Sequence, residues 1–121
     1  MKVGMSGDSL LWNWTRWVWS GQEVGNMKRH IPYEDDDGWH PILVDHAEQV
    51  DRLYQALPHI ERMIIIAEYP QRHGRFAGMG DAARRGAAAR WIGQATGLNL
   101  DITEYKLYLG LFKDKVEREV R

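Results

Sequence analysis

Four tryptophans fall between Trp12 and Trp19, in the stretch LLWNWTRWVWSG of residues 10–21. No other feature limits the fold as sharply, because each indole is a large apolar body whose N–H still needs an acceptor. At about 100° per residue, Leu10, Leu11, Trp14, Trp17 and Val18 share one face of a helix. Asp8 or Ser9 supplies an N-cap, and Ser20-Gly21 is the expected stop. Trp12 and Trp19 point to the opposite side of this helix, where a small domain has no obvious interior. With Arg16 between them they form a candidate protein-binding patch, since Trp and Arg dominate interaction hot spots. The competing reading buries this pair under the connection that follows, with Trp39, because monomers rarely leave large apolar patches open.

Helical spacing recurs along the chain and strand patterning does not. Val and Ile are sparse outside residues 60–66. Residues 21–43 read as one long connection, with Gly21, Gly25, Pro32, Gly38, Pro41 and the acidic run Glu34-Asp35-Asp36-Asp37. Asp45-His46-Ala47-Glu48 is a capping box ahead of Val50, Leu53, Tyr54 and Leu57. Pro58 opens a further helix, IERMIIIAEY, that stops at Pro70. The Gly-rich, basic stretch 71–81 leads to Asp81 as N-cap of a helix over Ala82–Thr96, with Gly97 as its C′ residue. Asp101-Ile102-Thr103-Glu104 is a second capping box, for a last helix through Tyr105, Leu107, Leu109, Leu111, Phe112 and Val116. The expectation is an all-α bundle of about five helices with a C-terminal helix-turn-helix-like pair and a long acidic loop. It forms one domain over 1–121, with a Trp-rich, acidic half (1–70) and a basic half (71–121).

Charge sharpens that division. Residues 1–61 hold 5 Lys and Arg against 10 Asp and Glu, and residues 62–121 hold 11 against 7. The excess in the second half suggests nucleic acid as a partner. In a helix-turn-helix the first helix crosses the DNA backbone and the second presents its N-terminal residues to base edges. Arg84, Arg85 and Arg90, with Arg72 and Arg75, are then phosphate contacts, and Asn99, Thr103, Glu104 and Lys106 face bases. The alternative is a plain helical hairpin completing the core.

Several classes find no support. The chain has no cysteine, which removes disulfides and thiolate metal sites and fits a reducing, cytoplasmic setting. The longest apolar run, Met63–Ala67, is far short of the roughly 20 residues of a membrane span, and the start MKVGMSGDS lacks a secretory signal. The histidines (His30, His40, His46, His59, His73) show no recurrent metal spacing, and no nucleophile elbow, Walker loop or dinucleotide fingerprint occurs. The chain is expected to bind rather than catalyse, without a cofactor.

Taken in order, WNWTRW, the acidic connection, Val50-Asp51-Arg52-Leu53, the step Leu57-Pro58-His59-Ile60-Glu61-Arg62 through Tyr69, and Thr103-Glu104-Tyr105-Lys106 carry a resemblance. Together they resemble the phage late-gene antitermination proteins of the Q type, whose last helices are similar to region 4 of sigma factors. The resemblance spans about residues 9–120 and departs from the family pattern at Gly93 and at Asn99-Leu100-Asp101. It implies double-stranded DNA near a late promoter and the RNA polymerase of a host bacterial cell as partners, and read-through of terminators as the activity. Two other readings stand beside it. One is a phage protein that inhibits a host factor through Trp12, Trp19 and the acidic loop without reading DNA. The other is an oligomeric packaging or assembly adaptor.

Overall fold

The structure, a computed structural model, describes residues 5–21 and 42–121. Five α-helices follow one another: α1 (Gly7–Gly21), α2 (Val44–Gln55), α3 (His59–Glu68), α4 (Asp81–Thr96) and α5 (Ile102–Glu119). A short 3-10 turn, Pro70–His73, follows α3, and no strand occurs among the described residues. The acidic run Glu34–Asp37, Trp39 and the expected cover of the tryptophan face lie outside the described residues.

The Trp-rich helix is the hub of the bundle. α1 packs on α2, on α5 and on the 3-10 turn, while α3 packs on α4 and α5. Leu10, Leu11 and Trp14 are buried, and Trp17 and Val18 lie half-buried against the same core. That core joins α1–α3 to Phe76, Ala88, Ile92, Tyr105, Leu109, Phe112, Val116 and Val120, so the acidic and basic halves share one interior. Trp14 donates from Nε1 to Asp51 Oδ1 at 3.1 Å and tilts against Tyr54, ring centroids 5.0 Å apart. Burial raises the Tyr54 pKa, and Asp51 adds to that while Arg62 opposes it.

Local signals set most boundaries. Ser6 rather than Asp8 or Ser9 caps α1, its Oγ accepting from Ser9 N at 3.1 Å. Gly97 ends α4 in the left-handed region at φ 79°, as glycine allows. The capping box at Asp101 and Glu104 opens α5. The box expected at Asp45 is absent, because the N-cap of α2 is Leu43, two residues earlier. A long-range contact replaces it. The buried Asn13 side chain accepts from Leu43 N at 2.8 Å and donates to Leu43 O at 2.9 Å. Pro58 is the N-cap of α3, and Gly80 rather than Asp81 that of α4.

One glycine is required by a close approach. Gly7 lies against the backbone of α5, where an added Cβ would collide with the Lys113 carbonyl, while its N–H donates to Glu117 Oε1 at 3.0 Å. Backbone cannot move aside as a flexible side chain can. Gly7→Ala is expected to lower the unfolding free energy by about 1–3 kcal/mol, the usual range for overpacking, read from urea denaturation. Gly80→Ala, where a Cβ meets nothing within 4 Å, serves as the comparison.

Candidate nucleic-acid interface

Arginine and aromatic side chains meet around the α3–α4 junction. At its centre is Glu68, 1% exposed, at the end of the apolar run of α3. Its Oε2 accepts from the Tyr105 hydroxyl at 2.7 Å. Its Oε1 accepts from Arg84 Nη2 at 3.0 Å and from Arg72 Nη2 at 3.4 Å, and Arg85 Nε stands 3.8 Å from Oε2. Three guanidinium groups thus converge on one buried carboxylate. Asp81, in the first turn of α4, takes a second bond from Arg84 Nη2 at 2.9 Å. The Nε–H groups of Arg72, Arg84 and Arg85 are buried without an acceptor among the described residues. The cluster therefore holds more donors and more positive charge than its own carboxylates satisfy.

Arg84 is the main departure from the sequence expectation. It is 2% exposed and cannot reach a phosphate. Its position on the Arg84, Ala88, Ile92 stripe turns it into the core, where it balances Glu68. Burial works against its charge, but the bonds to Glu68 and Asp81 outweigh this and its pKa rises. The Arg84 bond holds the Asp81 carboxyl below the ordinary range.

The other arginines remain accessible to differing degrees. The Arg72 and Arg85 side chains are 32% and 25% exposed, and Arg75 and Arg90 lie at the surface. Two of them stack on indoles: Arg72 Cζ is 5.2 Å from the Trp12 ring centroid and Arg75 Cζ is 5.3 Å from that of Trp91. Such cation–π contacts orient a guanidinium, and Arg75 is exposed, whereas Arg72 also turns Nη2 to Glu68. On α4, Ala82, Ala83, Gly86, Ala89 and Gly93 recur at helical spacing and make a side with little bulk. Gly93 is explained by the turn it borders, since a Cβ there would press on the Leu98 carbonyl at 3.3 Å.

The residues expected to read bases are placed less favourably. Glu104 is drawn into capping α5, 3.4 Å from Asp101 N. Asn99 and Glu104 line an open cleft of about 460 Å³ with His59, Glu61 and Tyr108, which adds carboxylates where a phosphate would have to pass. Thr103 and Lys106 are exposed on α5, but Leu107, Leu111 and Asp114 accompany them on its outer side.

The expected protein-binding patch is partly occupied by the chain itself. Trp12 meets Tyr69 edge-on at 5.1 Å and His73 at 5.8 Å, and Trp19 Nε1 donates to Pro70 O at 3.1 Å. Both indoles are half-buried against the turn of residues 69–73, and Arg16 is half-buried with them. The tryptophans on the far side of α1 therefore fasten it to the segment that carries Arg72.

Sequence reasoning passed over Glu68 and Asn13. A signal for each was present. Glu68 follows Ile64 and Ile65 at helical spacing on the buried side, and Asn13 follows Leu10 in the same way. Apart from Arg72, one turn on, the bonded partners of Glu68 are Arg84 and Tyr105, 16 and 37 residues away, and that of Asn13 is Leu43, 30 residues away, beyond local pattern.

Two buried phenols give this junction a pH signature. Burial, then the Glu68 carboxylate, pushes the Tyr105 pKa well above its ordinary value, and burial with the bond to Asp8 does the same for Tyr69. A raised phenol keeps its proton in the folded protein after the unfolded chain has lost it. Stability is thus intact below about pH 10 and falls as pH rises further. A spectrophotometric titration should show two tyrosines ionising only with unfolding, and Tyr105→Phe should remove one of them.

No helix among the described residues is long and apolar enough to cross a membrane, and none of their His, Asp and Glu groups is arranged to hold a metal ion. No family model, no curated protein and no solved structure matches this chain.

Proposed function

We propose that the chain is a small DNA-binding transcription regulator of the antitermination kind, acting on double-stranded DNA and host RNA polymerase. One observation carries the DNA contact: four arginines that keep solvent exposure, Arg72, Arg75, Arg85 and Arg90, lie on α4 or on the turn just before it, and α4 also carries a side built from alanine and glycine. Small side chains let a helix come close to the duplex, and the arginines reach phosphates on either side of it. In this reading α4 and the turn before it bear on the DNA, and α5 supports them. Arg84, Asn99 and Glu104 take no part in the contact. The resemblance in residues 9–120 is what supports RNA polymerase as the second partner.

Phosphate contacts release counterions, so affinity should fall steeply with salt. Four contacts imply a slope of log K against log salt of about −3.6. Fluorescence anisotropy with a labelled duplex measures it. Arg75→Gln with Arg90→Gln should weaken binding to all sequences alike and reduce the slope by about 1.8. No binding at low salt, or a slope unchanged in the double variant, would remove the proposal.

A further inference from the structure

The outer side of α5 carries an exposed surface that no other described helix packs against. Tyr105, Leu109, Phe112 and Val116 take the inner side. Leu107 and Leu111, one turn apart, are left 55% and 54% exposed. Gly110 lies between them in an 18-residue helix. Its φ is not positive, and a Cβ placed on it would meet nothing within 4 Å. Neither backbone conformation nor internal packing calls for glycine, although glycine inside a helix costs about 1 kcal/mol relative to alanine. What it permits is the close approach of a second helix to the backbone of α5.

Charge selects the occupant. Lys106 lies one turn before Gly110 and Asp114 one turn after it, both exposed. If two α5 helices cross antiparallel at Gly110, Lys106 of each copy meets Asp114 of the other. The same two-fold brings Leu107 and Leu111 of both copies together. A parallel pairing would instead set Asp114 against itself in the middle of the face, which like charges oppose. We propose that a second copy of this chain docks antiparallel on α5, giving a two-fold dimer centred on Gly110. An 18-residue helix is about 27 Å long, so one helix pair covers less than the roughly 800 Å² per partner of a standard interface. The dimer therefore forms in the micromolar range. These observations are independent of those for DNA binding.

Sedimentation velocity over about 5–300 µM, bracketing that range, tests the pairing. The wild-type chain should move from monomer to dimer as concentration rises. Leu107→Glu with Leu111→Glu should stay monomeric throughout with an unchanged helical circular dichroism spectrum. Gly110→Ala should raise the melting temperature of dilute protein, where the monomer prevails, yet weaken dimerisation about tenfold or more, a change of about 1.4 kcal/mol. Lys106→Asp and Asp114→Lys should each weaken the dimer, and the two together should restore it. A wild-type chain that remains monomeric to the top of the range overturns the proposal. So does a dimer indifferent to the leucine substitutions, or a charge exchange that restores nothing.

Discussion

Glu68→Ala is expected to lower the unfolding free energy by about 3–5 kcal/mol, the range for removing one partner of a buried ion pair. The residue is 1% exposed and the Arg84 side chain 3%, so solvent does little to replace the lost bond. Arg84 would keep only Asp81, whose side chain is 70% exposed, which places the expected cost toward the lower end of that range. The Tyr105 hydroxyl also loses its acceptor, and a buried unpaired hydroxyl adds about 1–3 kcal/mol. For a domain of this size the melting temperature should fall by roughly 10 °C or more. The matched control replaces the fully buried members of the network with apolar groups, Glu68→Leu, Arg84→Met and Tyr105→Phe together, and leaves the partly exposed Arg72 and Arg85 to solvent. That variant should recover most of the loss, since apolar replacement of a buried ion pair is often neutral or stabilising. Guanidinium denaturation of the two variants measures both effects. A small change in Glu68→Ala would mean that solvent reaches the cluster and takes over the bonds of Glu68.

Trp14→Ala should cost about 3–5 kcal/mol, as large-to-small changes of buried aromatic residues do. Trp14 is 1% exposed and heads the fully buried side chains by volume. The change empties the space against Tyr54 and leaves Asp51 without the indole donor. Trp19→Phe should cost far less, about 0.5–1.5 kcal/mol, because it gives up one hydrogen bond to Pro70 O at a half-buried position. Denaturation curves followed at 222 nm separate the two. Equal losses would mean that the two faces of α1 are equally central to the core.

The contrast shows how far the sequence could be read. The inner face of α1 was legible because Leu10, Leu11, Trp14, Trp17 and Val18 repeat at helical spacing. Gly97 and the Asp101–Glu104 box were legible because the bonds that end one helix and begin the next lie within a few residues. The seat of Trp12 and Trp19 was not, because it is made by Tyr69, Pro70 and His73, more than 50 residues on. Arg84 is the instructive failure. By composition it belongs with Arg85 and Arg90 as a phosphate contact. By position it lies on the Arg84, Ala88, Ile92 stripe and so in the core. A helical phase puts a charge inside, but the carboxylate that meets it comes from a separate helix. The leucines of α5 fail the other way. Leu107 and Leu111 were grouped with Tyr105, Leu109, Phe112 and Val116, yet they lie off that stripe and face outward.

On the proposed function, accessible arginines around α4, and not the outer side of α5, would meet the DNA backbone. Nuclear magnetic resonance tests it most directly, by titrating a short duplex into labelled protein at low salt and following backbone amides with arginine Nε–H signals. The predicted result is a set of shifts confined to residues 72–90, led by Arg72, Arg75, Arg85 and Arg90, with Arg84 and residues 107–114 undisturbed. Shifts concentrated on Thr103, Lys106 and Leu107, or no shifts at all, would contradict it.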